Sequence, residues 1–115
     1  MSQRSREAYL WDIADSCRAI LKFSESRTLF DYQNNRMFRR AGERELSTTG
    51  EAVGQATKYF PELEESIGSA RQIAGFRNRI THSYAEVNSS VVWGIVQNEV
   101  PGLLTTAESL LDKEK

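Results

Sequence analysis

The chain of 115 residues predicts an all-α fold, an antiparallel helical bundle of four to five helices. Three observations carry that expectation. Apolar residues recur at intervals of three and four along most of the chain, no stretch sustains the alternation of a strand, and a Ser or Asn precedes the main periodic runs, where its side-chain oxygen can cap orphan amides. There is no internal repeat and no low-complexity segment. One domain over 1–115 is therefore expected, large enough to bury a core without disulfides or a structural metal.

Taken in order, Ser5 caps a first helix running to about Phe23, with Tyr9 or Leu10, Ile13, Cys17, Ile20 and Leu21 on one face. Asp12 and Asp15 share a face, but without a third carboxylate or a nearby histidine they read as solvated charges and not as a metal site. Ser24–Arg27 is a turn, and Thr28 to Tyr32 make a short capped helix tucking Leu29 and Phe30 inward. Asn34 or Asn35 caps a long helix that ends at Pro61, roughly 25 residues and about 37 Å. Its stripe is Phe38, Ala41, Glu45, Thr49, Ala52, Val53, Ala56 and Phe60. Glu45 and Thr49 interrupt it with polar groups, so that face either lines a cleft or interface or rotates enough for both to reach water. Gly42, Gly50 and Gly54 weaken the helix by up to about 1 kcal/mol each relative to alanine, which suggests a neighbour packed closely against it. Pro61–Gly68 is a polar connection. Ser69 caps a fourth helix that carries Arg71, Arg77 and Arg79 and ends near His82. Asn88 caps a fifth, whose apolar phase runs through Val92, Val96, Val100, Leu103, Leu104, Ala107 and Leu111 across a kink at Pro101.

Composition narrows the function. The formal net charge of −1 gives no whole-molecule attraction to nucleic acid, so such binding has to rest on a local patch. Eleven of the fifteen basic residues are arginine, whose planar fork suits phosphate. Arg36, Arg40 and Arg44 form a basic stripe on the long helix, tempered by Glu43 and Glu51. The lone Cys17 fits an apolar helix face in a reducing cytosol, and no apolar run is long enough to span a bilayer. A P-loop, a Gly-rich dinucleotide turn, a cysteine metal cluster and a nucleophile elbow are all missing from the sequence, so no cofactor and no metal are expected.

The chemistry concentrates in Arg77-Asn78-Arg79-Ile80-Thr81-His82-Ser83-Tyr84, which contains the only histidine. RNA cleavage needs no metal if a base deprotonates the ribose 2′-hydroxyl, a cation stabilises the crowded phosphorane and an acid protonates the leaving oxygen. An imidazole and a guanidinium supply these functions. Residues five apart on a regular helix point about 140° from each other, so Arg77 and His82 converge only if the helix tightens or frays, or if a second copy supplies the missing partner across a two-fold axis. Asn78, four residues before His82, is placed to orient its ring. On spacing alone the stretch reads first as a solvated helix end, where a histidine meets the helix dipole.

Arg77, four residues, His82, one residue, Tyr84, preceded by Ala74-Gly75-Phe76, resembles the R-x4-H-x-Y motif of HEPN-domain ribonucleases in the HepT toxin branch. Gly50-Glu51-Ala52 and Phe60-Pro61 upstream, with Val87-Asn88, Val92-Trp93 and Val100-Pro101 downstream, are similar to other landmarks of that family in the same order. The resemblance implies a HEPN-like bundle acting as a homodimer whose paired motifs line one cleft, and a metal-independent endoribonuclease toxin of a type VII-like toxin–antitoxin pair. It further implies Arg77 as transition-state stabiliser, His82 as general acid and base, Arg40, Arg44 and Arg79 on RNA phosphates, and Tyr84 as the residue adenylylated by an MntA-like nucleotidyltransferase antitoxin. Ser47 and Thr48-Thr49 depart from the family's more usual acidic and apolar residues, and Asn35 stands where aspartate is common. The rival expectation is a non-catalytic, nucleotide- or substrate-binding partner of a nucleotidyltransferase.

Overall fold

A computed structural model describes residues 4–68, 70, 72–75 and 88–114. Arg77, Asn78, Arg79, His82 and Tyr84, like Ser69 and Arg71, lie outside the described residues. Among those described there are four longer helices, α1 (Arg6–Ser24), α3 (Arg36–Tyr59), α5 (Ser89–Asn98) and α6 (Val100–Glu114), and two short ones, α2 (Leu29–Asn34) and α4 (Glu62–Ser66). No strand interrupts them among the described residues, so the all-α bundle is observed, with the short helices raising the expected number.

The caps explain most boundaries. Ser5 Oγ accepts from the Ala8 amide and starts α1. Thr28 and Asp31 close a reciprocal capping box on α2, each side chain bonded to the other's amide, at 3.2 and 2.9 Å. Asn35 accepts from the Phe38 amide at 2.9 Å and starts α3, which stops before Pro61 because the residue ahead of a proline is driven out of helical conformation. Asn88 Oδ1 accepts from both Ser90 and Val91 to open α5. The expected kink at Pro101 takes the form of a break just ahead of it: Glu99 separates α5 from α6, and proline's missing N–H falls in the first turn of α6, where it costs least.

The helix α1 is the central strut, packed along both α3 and α6. Leu10, Ile13, Ala14, Cys17 and Ile20 are fully buried, facing Val53 and Ala56 of α3 and Leu103, Ala107 and Leu110 of α6. Arg6 fastens the same end of the bundle, reaching Glu62 at 2.7 Å and Glu114 at 3.0 Å. At the other end, Phe38 of α3 meets Phe23, Tyr32 and Trp93 edge-on at ring distances of 5.9, 5.1 and 5.8 Å, joining α1, α2, α3 and α5. Such pairs add roughly 0.5–1.5 kcal/mol each beyond their burial.

Three expectations are corrected here. The buried residue of α2 is Tyr32, while Phe30 stays 71% exposed, because the helix turns its second residue to solvent when its fourth enters the ring cluster. The segment after Pro61 is no mere polar connection, since α4 buries Leu63 and the turn after it buries Ile67. Thr49 neither lines a cleft nor reaches water: it is fully buried and its hydroxyl sits 2.7 Å from that of Ser16 on α1. The buried stripe of α3 keeps the expected Phe38, Thr49, Ala52, Val53 and Ala56 and adds Gly42, Leu46 and Gly50, leaving Ala41 and Glu45 half-exposed at its edge.

Candidate functional site

At about 100° per residue, Arg36, Arg40, Glu43, Ser47, Gly50 and Gly54 fall within an arc of about 80° on α3. This flank adjoins the buried stripe. A β-carbon placed on Gly54 would lie 3.5 Å from that of Ala74, so the helical residues 72–75 run against it. Ala70 and Ile73 point into the core, while Gln72 and Gly75 are exposed. The chain thus approaches Arg77 from the Gly54 level of α3. After the motif it resumes at Asn88, and Trp93 of α5 packs on Phe38, sixteen residues and about 24 Å back along the same helix. The described residues on both sides of the motif are therefore anchored to α3.

The expected basic stripe is present on that helix. Arg36, Arg40 and Arg44 are all exposed, and Arg40 donates to the Glu43 carboxylate at 3.0 Å. Glu43 is the sheltered member of the pair, its side chain 13% exposed against 61% for Arg40, so a held carboxylate orients an arginine that faces solvent. The neighbouring Tyr32 phenol is pushed up by burial and then by Glu43, which makes it a structural hydroxyl rather than an acid or base. Burial also holds the Glu45 carboxyl above the ordinary glutamate value of 4.5, with Asp15 acting in the same direction and Arg44 against it.

Beside Arg44 an open groove of about 530 Å³ runs between α3 and the start of α1, lined by Arg4, Tyr9, Asp12, Ser47, Thr48 and Gln55 among others. Arg4 reaches Asp12 at 2.7 Å and lies 4.9 Å above the Tyr9 ring. Asp12 is thus an ion-pair partner. Arg4 had no signal in the sequence, since it precedes the first helix and belongs to no periodic run. Arg44, in contrast, was marked by its spacing from Arg36 and Arg40. Arg40, Arg44 and Ser47 give this edge of α3 donors suited to a phosphate backbone, and the described residues offer no histidine to do chemistry on it. Cys17 is no substitute nucleophile: burial pushes its thiol up to about 12.

Comparison with known proteins gives this arrangement a context. A protein of Caldanaerobacter subterraneus subsp. tengcongensis, provisionally named an RNase, is 30% identical over 93% of this chain and 95% of its own length. A second such protein, from Methanocaldococcus jannaschii, is 30% identical over 94% of this chain and 98% of its own. A relative from Thermococcus cleftensis, provisionally named ribonuclease HepT, is 30% identical over 94% of this chain and 97% of its own. No solved structure matches significantly. The family model described as ribonuclease HepT-like matches residues 13–110, from the middle of α1 to the last buried leucine of α6. With most of the core and the motif-bearing segment inside that match, the chain belongs to the HepT-like ribonuclease family, whose HEPN bundle it shares.

Proposed function

We propose that this protein is a metal-independent endoribonuclease toxin of the cytoplasm, a single domain over 1–115 that works as a homodimer. The observation that carries the reading is family membership across the chain together with an intact Arg77, His82 and Tyr84. The position of Ala74, three residues before Arg77, against Gly54 on the arginine-bearing flank of α3 supports it. In this mechanism His82 takes the proton of the ribose 2′-hydroxyl, which attacks the adjacent phosphorus. Arg77 spreads its fork over the phosphorane oxygens, and the leaving 5′-oxygen recovers a proton. Asn78 orients the imidazole, while Arg40, Arg44 and Arg79 hold neighbouring phosphates. No cofactor takes part.

Regulation is assigned to Tyr84. A nucleotidyltransferase antitoxin of the MntA type adenylylates its phenol, completing a type VII-like pair, and the added phosphate competes for the fork of Arg77. The test is cleavage of RNA by the purified protein in excess EDTA, with a 2′,3′-cyclic phosphate as product. His82→Ala should lose about 10²- to 10⁴-fold in rate while keeping its helical circular dichroism. Full activity in that variant would overturn the nuclease assignment. Co-expression with the transferase should add one adenylate to Tyr84, and neutralisation that survives Tyr84→Phe would show that an antitoxin works by binding alone.

A further inference from the structure

We propose that the exposed face of α3 is a self-pairing seam, along which a second copy of the chain lays its own α3 antiparallel with Thr48 at the two-fold axis. The proposal rests on the dimeric reading above and adds to it a surface and a register. Met37, Ala41, Arg44, Thr48, Glu51, Gln55 and Tyr59 follow one another at steps of three or four, making one stripe turned away from Leu46, Thr49 and Val53. Two large side chains mark its ends: Met37 stands 84% exposed, and Tyr59, stacked on Tyr9 at 6.2 Å, keeps 43% of its surface exposed. Between them the side chains of Ala41 and Thr48 are small, and the crevice between α3 and α1 opens beside them into two hollows of about 340 and 530 Å³. A helix can approach closely there.

The stripe is self-complementary only when reversed. Met37 and Tyr59 are each eleven residues from Thr48, Ala41 and Gln55 seven, Arg44 four and Glu51 three. Antiparallel pairing therefore sets the Met37 thioether on the partner's Tyr59 ring at both ends of the seam, a favourable sulfur–aromatic contact. Next to the centre Arg44 falls beside the partner's Glu51, and its fork leaves donors free toward the RNA side. Two threonines, the smallest opposition, meet at the axis. Parallel pairing would instead oppose Arg44 to the partner's Arg44. A two-fold axis perpendicular to this seam also leaves the flank of Arg40, Ser47 and Gly54 on the same side of the dimer in both copies. Because Ala74 packs on that flank, the two segments that lead into Arg77 emerge together on one face, which is what a shared cleft requires.

The experiment is site-directed crosslinking of the full chain with a short bis-maleimide, combined with sedimentation. Cys17 is fully buried and should stay silent. Thr48→Cys should crosslink to itself, Met37→Cys alone should not, and Met37→Cys mixed with Tyr59→Cys should. Arg44→Glu should raise the dimer dissociation constant about tenfold, since each of two symmetric attractions becomes a repulsion, and Arg44→Glu with Glu51→Arg should restore it to within about threefold. A monomer at micromolar concentration would overturn the seam, as would a dimer in which Thr48→Cys fails to crosslink. Protection of Thr48→Cys by a nucleotidyltransferase in an otherwise monomeric protein would overturn it in favour of that partner. RNA cleavage measured alongside separates the two readings: a seam without cleavage removes the nuclease, and cleavage by a monomer or a differently joined dimer removes the seam.

Discussion

At the scale of single residues, the buried hydroxyl pair is where the core departs most from an apolar pattern. Ser16 and Thr49 have one proton each and face three acceptors: each other at 2.7 Å, the Ile13 carbonyl at 3.1 Å and the Glu45 carbonyl at 2.9 Å. One hydroxyl must donate to the other, which then donates to its own helix. Thr49→Val breaks this chain and should cost about 1–2 kcal/mol in urea unfolding, and adding Ser16→Ala should cost less than its separate effect because the orphaned partner disappears with it. Glu45 gives a pH-dependent counterpart. Its carboxyl is held above the ordinary glutamate value by burial first and Asp15 second, so the folded state binds more protons than the unfolded one above pH 4.5, and this contribution to stability falls as pH rises through the folded value. Glu45→Gln should therefore raise the melting temperature at pH 7, and the gain should vanish below pH 4. The sequence marked Glu45 and Thr49 as exceptions in the stripe but not their fates. Those depend on which residue of α1 lies opposite, and periodicity within one helix contains no information about its neighbour.

At the scale of elements, legibility followed helix length and capping chemistry. The caps Ser5, Thr28, Asn35 and Asn88 each close the hydrogen bonds their types suggested, because capping is a local interaction. The short helices were less readable: α2 has six residues and α4 five, too few for periodicity to select a face, so Tyr32 and Leu63 entered the core unannounced. Gly42 was legible as a close approach but not as to what. A β-carbon there would meet Tyr32 Cε2 at 3.0 Å and its hydroxyl at 3.2 Å, and that ring is fixed between Phe38 and Trp93. Gly42→Ala should destabilise the protein by about 1–2 kcal/mol despite the roughly 1 kcal/mol that alanine contributes to helix propensity. A urea midpoint equal to or above that of the parent would show that the ring can move. The motif is read from residue types and spacing, which are sequence properties, and it lies outside the described residues. The segments that flank it meet α3 at Gly54 and Phe38, contacts of high sequence separation.

At the scale of the whole molecule, a net charge of −1 gives no overall attraction to the RNA of the proposed reaction, so the distribution of charge on the elements has to supply it. The acidic residues Glu62, Glu108 and Glu114 are engaged by Arg6 and Arg18 on the α1 side of the bundle, whereas Arg36, Arg40 and Arg44 stand exposed on α3. A local field of that kind supports attraction of RNA to one face. The five-residue spacing of Arg77 and His82 favours partners on different copies, since about 140° separates their directions on a regular helix. Arg77→Ala and His82→Ala chains are each expected to be inactive. When mixed in equal amounts and allowed to exchange, half the dimers are mixed, and each mixed dimer has one site with both groups intact and one with neither. Activity should recover to about one quarter of the parent value. Mixed dimers demonstrated by mass but lacking activity would mean that each site draws its arginine and histidine from a single chain, so that the second copy would shape the cleft without completing the catalytic pair.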